Sequence, residues 1–275
     1  LICIFMGVMF VGVLYLAPEK VAKLNRNDSK QIIWRMYALC YVAFICPIIV
    51  FFFSNREERN VVALFGKLGV LPNIVGFSGD ATIAYLPIIL LRWMFTGIIL
   101  PSFVTASLFL GPLLENYYSN VEFKCKPIFS IQKIYKQCTN DMVAIRAYIV
   151  APIFEEWVFR ACMIVVLREN GMSIGNITLY SPLYFGIAHL HHAYNMVYNE
   201  KRPWKSSLLI CFIQFLYTSL FGSYVAYVFC KTSNVYGIII QHSFCNYMGL
   251  PQPSWFRNQE HSLHKYSFVL CIGYI

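Results

Sequence analysis

Long apolar stretches alternate with short polar segments along most of this chain. A helix needs about 17 to 25 apolar residues to cross the hydrocarbon core of a bilayer, and several stretches reach that length. The spans predicted from this pattern are 1–17, 36–53, 81–114, 144–167, 174–191, 207–230, 235–250 and 266–275. The third span is expected to kink at Pro87 and Pro101, either as one long or broken helix or as two short ones. The sequence therefore predicts an all-α, polytopic membrane bundle of about eight transmembrane helices.

The composition agrees with a membrane protein. Hydrophobic residues make up 58% of the chain and charged residues only 13%, whereas soluble domains carry about 25% charged residues. The first apolar stretch lacks a basic leader and is followed by Pro18 and charges, so we interpret it as a transmembrane helix rather than a secretory signal. We expect a single transmembrane domain over residues 1–275, with its motif-bearing core at 144–250.

The net charge of +9 is distributed unevenly between the predicted loops. Lysine and arginine concentrate in the loops that follow the odd-numbered spans, among them 18–35 and 115–140. Basic loops are cytosolic in membrane proteins, so the first helix is predicted to start on the lumenal or external side. The charge indicates attraction to an anionic lipid bilayer. Nucleic-acid binding is disfavoured, because no basic run is dense or interleaved with aromatic residues.

Three charged residues stand inside the fourth predicted span, at Glu155, Glu156 and Arg160. An ionisable residue at the centre of a transmembrane helix costs about 2.5 to 3.5 kcal/mol even on insertion scales. Glu156 and Arg160 are four residues apart, within reach of a salt bridge on one helix face, whereas Glu155 points about 100° away. One carboxylate is thus neutralised and the other left free for chemistry. The alternative is that all three pair across helices to hold the bundle together.

Two later spans carry further polar residues. His189 lies in the sequence Phe-Gly-Ile-Ala-His, and a neutral imidazole can both accept and donate a proton. The small residues Gly186 and Ala188 would let another helix come close. His242 and Asn246 share a helix face, and two donors at one height suit a developing oxyanion. Interhelical hydrogen bonds without a chemical role are the alternative for each of these residues.

Together, these motifs resemble those of the type II CAAX prenyl endopeptidases. The order is Glu-Glu-x-x-x-Arg, then Phe-x-x-x-His, then His-x-x-x-Asn, and the resemblance covers about residues 144 to 250. The flanking sequence is also similar, with Ala-Pro before the acidic pair, Phe-Gly-x-Ala-His-x-His-His at 185–192 and His-Ser-Phe-Cys-Asn at 242–246.

The resemblance implies an intramembrane peptidase that removes the last three residues from farnesylated or geranylgeranylated CAAX proteins such as small GTPases. It implies a multi-pass protein of the endoplasmic reticulum membrane, without a cofactor, whose active site is accessible from the cytosolic face. Glu155 and His189 would activate a water, and His242 and Asn246 would stabilise the oxyanion. Glu156 and Arg160 would support them.

Three alternatives stay open. Glutamate and histidines can bind a catalytic zinc ion, although no H-E-x-x-H motif is present. Cys245, beside Asn246, could instead be a thiol nucleophile. A polar cluster in a bundle also fits a non-enzymatic scaffold or a transporter, although repeated halves typical of transporters are not seen.

The sixth predicted span carries an aromatic stripe that consists of Phe212, Phe215, Tyr217 and Phe221. These side chains are candidates for lining a lipid groove, or they are ordinary packing residues.

Overall fold

The computed structural model describes residues 1–54, 59–72, 80–123, 131–188 and 194–249. Within these ranges every regular element is helical, which confirms the all-α prediction. The α-helices are α1 (Ile2–Gly12), α2 (Glu19–Ala22), α3 (Ser29–Phe53), α4 (Val61–Lys67), α5 (Asp80–Met94), α6 (Leu100–Leu108), α7 (Leu110–Phe123), α8 (Ile131–Asn140), α9 (Met142–Ile145), α10 (Ala151–Glu156), α11 (Met163–Glu169), α12 (Ile174–Ala188), α13 (Trp204–Thr232) and α14 (Val235–Met248).

Wider, π-helical turns join several of these helices. One at Phe95–Ile99 connects α5 to α6. Two more, at Arg146–Val150 and Trp157–Cys162, connect α9, α10 and α11 into one continuous helix, here called the site helix. A 3₁₀ turn at Val13–Tyr15 extends α1. A fourth π turn, Asn195–Asn199, precedes α13.

Three helices of the described residues are long and apolar enough to cross a membrane: Ser29–Phe53, Tyr85–Leu108 and Trp204–Thr232. They coincide with the second, third and sixth predicted spans, and the shorter apolar helix Ile2–Tyr15 coincides with the first. Large apolar side chains cover the outside of the bundle, as a surface in contact with lipid requires; Phe44, Phe103 and Leu220 are each at least 70% exposed. The total of eight spans stays a prediction, because span 266–275 lies outside the described residues.

Two boundaries differ from the sequence prediction. Helix α3 begins at Ser29 rather than near residue 36, because the side chain of Asp28 accepts a hydrogen bond from the Lys30 amide at 2.8 Å and caps the helix. Arg35 is therefore helical. The predicted loop 115–140 is largely helical as well, since α7 continues to Phe123 and α8 fills its second half. The third span breaks at Phe109, between α6 and α7.

Proline explains where the site helix widens. The Ala151 amide donates to the carbonyl of Arg146, five residues earlier, and Pro152 has no N–H to donate. The carbonyl of Ala147 is consequently left without a donor from its own helix. The same arrangement recurs one span earlier, where the π turn Phe95–Ile99 precedes Pro101. Such turns occur often at functional sites.

Helix α14 crosses the third span at a contact that only glycine permits. A Cβ atom added to Gly237 would lie 1.7 Å from the carbonyl oxygen of Gly97. Hydrogen bonds hold the crossing on both sides: Trp93 Nε1 donates to the carbonyl of Ser233 at 2.9 Å, and Asn234 Nδ2 donates to the carbonyl of Trp93 at 3.3 Å. Asn234 also caps α14 by accepting from the Gly237 amide. The height of α14 relative to the third span is thereby fixed.

The site helix forms the centre of the bundle. Every residue from 158 to 166 is buried, and the core around it draws on α1, α3, α12, α13 and α14. Helices α12 and α13 pack tightly through small residues. A Cβ on Gly186 of α12 would lie 2.7 Å from the Phe215 ring of α13, and one on Gly222 of α13 would lie 3.0 Å from the Cβ of Pro182 in α12. The predicted close approach at Gly186 is confirmed.

Candidate active site

The acidic pair stands at the end of α10, in the middle of the site helix. This helix begins at Asp141, whose carboxylate accepts from the amides of Val143 and Ala144 at 2.8 and 3.3 Å. From there it runs through its first π turn to Glu155 and Glu156, and the second π turn follows at once. The two carboxylates are therefore held on rigid backbone deep in the bundle, not on a loop.

Glu156 is fully buried and forms the predicted ion pair. Its Oε1 atom accepts a hydrogen bond from Arg160 Nη1 at 3.1 Å, and the two side chains are 0% and 2% exposed. The Arg160 guanidinium also lies over the Phe185 ring, 4.2 Å from its centroid, where a cation is attracted to the aromatic face. Buried charges need such partners. The (i, i+4) prediction for this pair is confirmed.

Glu156 has a second partner that the sequence analysis missed. Nδ1 of His242 lies 2.6 Å from the same Oε1 atom. The imidazole is buried between the rings of Phe185 and Phe221, which meet it edge to face at 6.1 and 5.5 Å. Because a carboxylate only accepts hydrogen bonds, Nδ1 is protonated and donates a hydrogen bond to Glu156 Oε1. Glu156 thus fixes the position of His242 and keeps a proton on its Nδ1 atom.

The other side of the His242 ring faces Glu155. Nε2 lies 3.7 Å from Glu155 Oε2, beyond direct hydrogen-bond distance. The Glu155 side chain is 20% exposed, whereas that of Glu156 is fully covered. The two neighbouring glutamates therefore occupy different environments, as their angular separation on the helix predicted.

Asn246 lies one turn beyond His242 on α14. Its Nδ2 atom donates to the carbonyl of Ala147 at 2.9 Å, which is the carbonyl that Pro152 leaves without a helical donor. The amide has two N–H groups, and one of them is used in this contact. Asn246 thus satisfies the carbonyl of Ala147 with one N–H group. Its second N–H group can donate to another acceptor.

A cavity of about 630 Å³ brings the predicted residues together. Glu155, His242 and Asn246 all line it, as do Tyr217 and Phe221 from the aromatic stripe of α13. Two members of that stripe therefore face the site. Phe212, a third member, is 57% exposed on the outside of the bundle. His189 lies outside the described residues, so its place in the site stays a prediction.

Two arginines on the same cavity were not predicted as site residues. Arg26 and Arg146 line it together with Glu155. Arg146 donates to the carbonyl of Arg26 at 2.8 Å and to Asn27 Oδ1 at 3.1 Å. Burial lowers the pKa of Arg26, and the negative charge of Glu155 partly offsets that effect. Arg146 lies inside a predicted span, and a charge in a span is the same sequence signal that singles out Glu155. Arg26 lies in a predicted basic loop, where a charge is expected.

The rival chemistries involve the same region. Among the described residues, no group of three or more His, Cys, Asp or Glu side chains is arranged to hold a metal ion, and His189 is not among them. Cys245 is buried and lines the cavity beside Asn246.

The described residues define a membrane-embedded, all-α protein with a carboxylate and imidazole site at a cavity. The profile of the family described as "Type II CAAX prenyl endopeptidase Rce1-like" matches residues 140–248, which include the site helix and α14. The chain is 30% identical over 272 residues to the CAAX prenyl protease 2 of Arabidopsis thaliana, covering 90% of this chain and 78% of the relative. This chain belongs to the Rce1-like family of type II CAAX prenyl endopeptidases.

Other relatives have similar names. The chain is 29% identical over 254 residues to the human CAAX prenyl protease 2, covering 90% of this chain and 70% of that protein. It is also 29% identical over 253 residues to the probable CAAX prenyl protease 2 of Schizosaccharomyces pombe, covering 91% and 80%. No solved structure matches the chain.

Proposed function

We propose that this chain is an intramembrane endopeptidase that removes the C-terminal tripeptide from prenylated CAAX proteins. The observation that carries the proposal is the pair of glutamates on either side of His242, with Glu156 buried at 2.6 Å and Glu155 facing a cavity of about 630 Å³. Glu156 holds the imidazole in place, and Glu155 is accessible to water and substrate. This arrangement suits hydrolysis in a site from which bulk water is largely excluded. Membership of the Rce1-like family supplies the substrate class.

In the proposed mechanism, Glu155 accepts a proton from a water that attacks the scissile carbonyl. The protonated Glu155 then gives this proton to the amine leaving group as the C–N bond breaks. Glu155 Oε2 and His242 Nε2 are 3.7 Å apart, so one water can lie within hydrogen-bond distance of both atoms. His189 is assigned a share in activating this water, on the resemblance to the family alone. A general base of this kind contributes about 10²- to 10⁴-fold to a rate.

The oxyanion is stabilised in this proposal by His242 and Asn246. Asn246 donates through its second side-chain N–H group, because the first is hydrogen bonded to the carbonyl of Ala147. His242 donates through Nε2 as an imidazolium, which also keeps its Nδ1–H hydrogen bond to the Glu156 carboxylate. Glu156 and Arg160 act as positioning residues behind it. Donors held in place before the reaction stabilise the tetrahedral intermediate without reorganisation.

The substrate side of the proposal follows from the chemistry of prenylated tails. A farnesyl or geranylgeranyl chain partitions into the bilayer, and the apolar wall of the cavity, with Ile213, Tyr217 and Phe221 from α13, is suited to an apolar segment. We assign the protein to the endoplasmic reticulum membrane, with the site open to the cytosolic face, where basic loops such as 18–35 are expected. Small GTPases are the proposed substrates.

The test is release of a tripeptide from a farnesylated CAAX peptide by the purified protein, with the unprenylated peptide as the matched control. Cleavage of only the prenylated peptide supports the proposal. Failure to cleave in a folded sample would favour a scaffold or transporter. Turnover that survives a chelator counts against a zinc-dependent mechanism, and turnover lost to the chelator and restored by zinc counts for one.

A further inference from the structure

Positive charge surrounds the Glu155 side of the site. Arg26 and Arg146 line both the cavity of about 630 Å³ and a smaller neighbouring cavity of about 90 Å³, and Arg35 lines the smaller one. Glu155 is the carboxylate that lines both cavities among the described residues. Three guanidinium groups thus share a partly buried space with one carboxylate, an arrangement that attracts a further anion.

Among the described residues, no carboxylate other than Glu155 lines either cavity. Glu200 interacts electrostatically with Arg26, and Asp141 with Arg146. Neither Glu200 nor Asp141 lines either cavity. Arg35 Nε is buried and has no hydrogen-bond acceptor among the described residues. A buried donor without an acceptor requires an explanation, and an absent ligand is one.

The separation between Arg146 and Glu155 along the site helix is close to the length of an extended tripeptide. Arg146 stands nine residues before Glu155 on the same helix, about 13 Å along the axis at the α-helical rise and somewhat less because Arg146–Val150 is a π turn. An extended tripeptide spans about 10 Å, and the long arginine side chain adapts to the difference. A peptide that is cut next to Glu155 and runs along the site helix toward its N-terminus would carry its C-terminus to the region of Arg146. Arg146 in turn is hydrogen bonded to the carbonyl of Arg26 and to Asn27, and so holds the Arg26 segment in place.

We infer that Arg26 and Arg146 bind the C-terminal α-carboxylate of the substrate, with Arg35 adding its charge, and that this contact fixes the cut three residues from the end. The inference rests on the proposed function and deepens it. Guanidinium groups bind carboxylates through paired, charge-assisted hydrogen bonds. A peptidase that measures from the C-terminus needs such a fixed point, because side chains of varied sequence cannot supply one.

The rival occupant of the arginines is the phosphate of an anionic lipid, since basic residues near a membrane surface attract such headgroups. The two differ in what they do to the reaction. A carboxylate site acts on the substrate and discriminates between chemical forms of its C-terminus. A lipid site acts on the enzyme whatever the substrate's terminus is, and depends on the lipid present.

The experiment compares two farnesylated CAAX peptides that differ only in the last group, a free carboxylate or a carboxamide, in vesicles of phosphatidylcholine alone. We expect wild-type kcat/KM to be about 10- to 100-fold lower for the carboxamide, the factor that a hydrogen bond to a charged group represents. Arg26→Gln and Arg146→Gln should lower cleavage of the carboxylate peptide by a similar factor, mainly through KM, and leave the carboxamide within about threefold. Arg26→Lys should retain part of the preference.

The matched control is Arg168→Gln, which alters an exposed arginine at the far end of the same helix and should keep the full preference. Equal cleavage of both peptides by the wild type would overturn the inference and leave the proposed function standing; this comparison needs no variant to fold. Variants that slow both peptides equally, or whose loss is reversed by anionic lipid, would overturn it in favour of a lipid site. Cleavage of neither peptide would overturn the proposed function itself.

Discussion

His242 Nδ1 lies 2.6 Å from Glu156 Oε1, and the same oxygen accepts a hydrogen bond from Arg160 at 3.1 Å. One buried carboxylate oxygen therefore joins the site helix to α14. The contact fixes the imidazole so that its Nε2 faces Glu155. In the proposed mechanism, Glu156 is therefore the positioning residue and Glu155 is the carboxylate that acts on the substrate.

Removing one partner of the buried Glu156–Arg160 ion pair should destabilise the protein more than removing both. Glu156→Gln leaves the Arg160 charge buried without its ion-pair partner, and Arg160→Met leaves Glu156 without its own. Each single change should lower the free energy of unfolding by about 3 to 5 kcal/mol. The double variant Glu156→Gln/Arg160→Met should recover most of that loss in thermal unfolding in detergent. A double variant as unstable as the sum of the two singles would contradict the pairing.

The local part of this network was predictable from sequence, because two helical residues four apart must lie on one face. The same spacing rule placed His242 and Asn246 on one side of α14 and separated Glu155 from Glu156. These inferences need only the period of a helix. They held although a π turn begins just after Glu156.

The long-range part was not predictable. Glu156 and His242 are 86 residues apart, and helix periodicity does not determine which faces of two helices meet. The contact between Asn246 and the carbonyl of Ala147 depends on a π turn upstream of Pro152, which hydropathy does not detect. Arg26 was missed for another reason: in sequence it looks like any juxtamembrane charge, and only the fold brings it to the cavity.

Asn246 should contribute to catalysis beyond its structural hydrogen bond. Asn246→Ala removes the donor to Ala147, which should cost about 1 kcal/mol of stability, and the proposed oxyanion donor, which should lower kcat about 10²- to 10³-fold. Asn170→Ala is the matched control, because Asn170 Nδ2 also donates to a helix carbonyl, that of Val166 at 2.8 Å, far from the cavity. Equal effects of the two variants on kcat would contradict an oxyanion role for Asn246.

The glycine crossing should tolerate no side chain. Gly237→Ala places a Cβ 1.7 Å from the carbonyl of Gly97, so α14 must shift, and we expect a loss of about 3 kcal/mol or more. Gly175→Ala is the matched control, since its Cβ would meet no atom within 4 Å among the described residues and alanine favours the helix by about 0.5 to 1 kcal/mol. Thermal unfolding measures both. If Gly237→Ala were as stable as the wild type, this crossing would be wrong.

Cys245 should be dispensable. Its side chain is buried beside Asn246, where a cysteine acts as a small apolar group. Cys245→Ala should therefore keep kcat/KM on the farnesylated peptide within about threefold and become insensitive to any thiol reagent that acts at this position. Loss of turnover in a folded Cys245→Ala sample would revive the thiol mechanism and displace Glu155 from its role.

The central claim, that Glu155 is the general base, is tested most directly by the single-turnover rate of Glu155→Gln on the farnesylated CAAX peptide. Glutamine keeps the size of the side chain but accepts no proton from water at neutral pH. We predict a rate about 10²- to 10⁴-fold below the wild type, with peptide binding and the unfolding temperature nearly unchanged. A Glu155→Gln protein that cleaves at the wild-type rate would contradict the account.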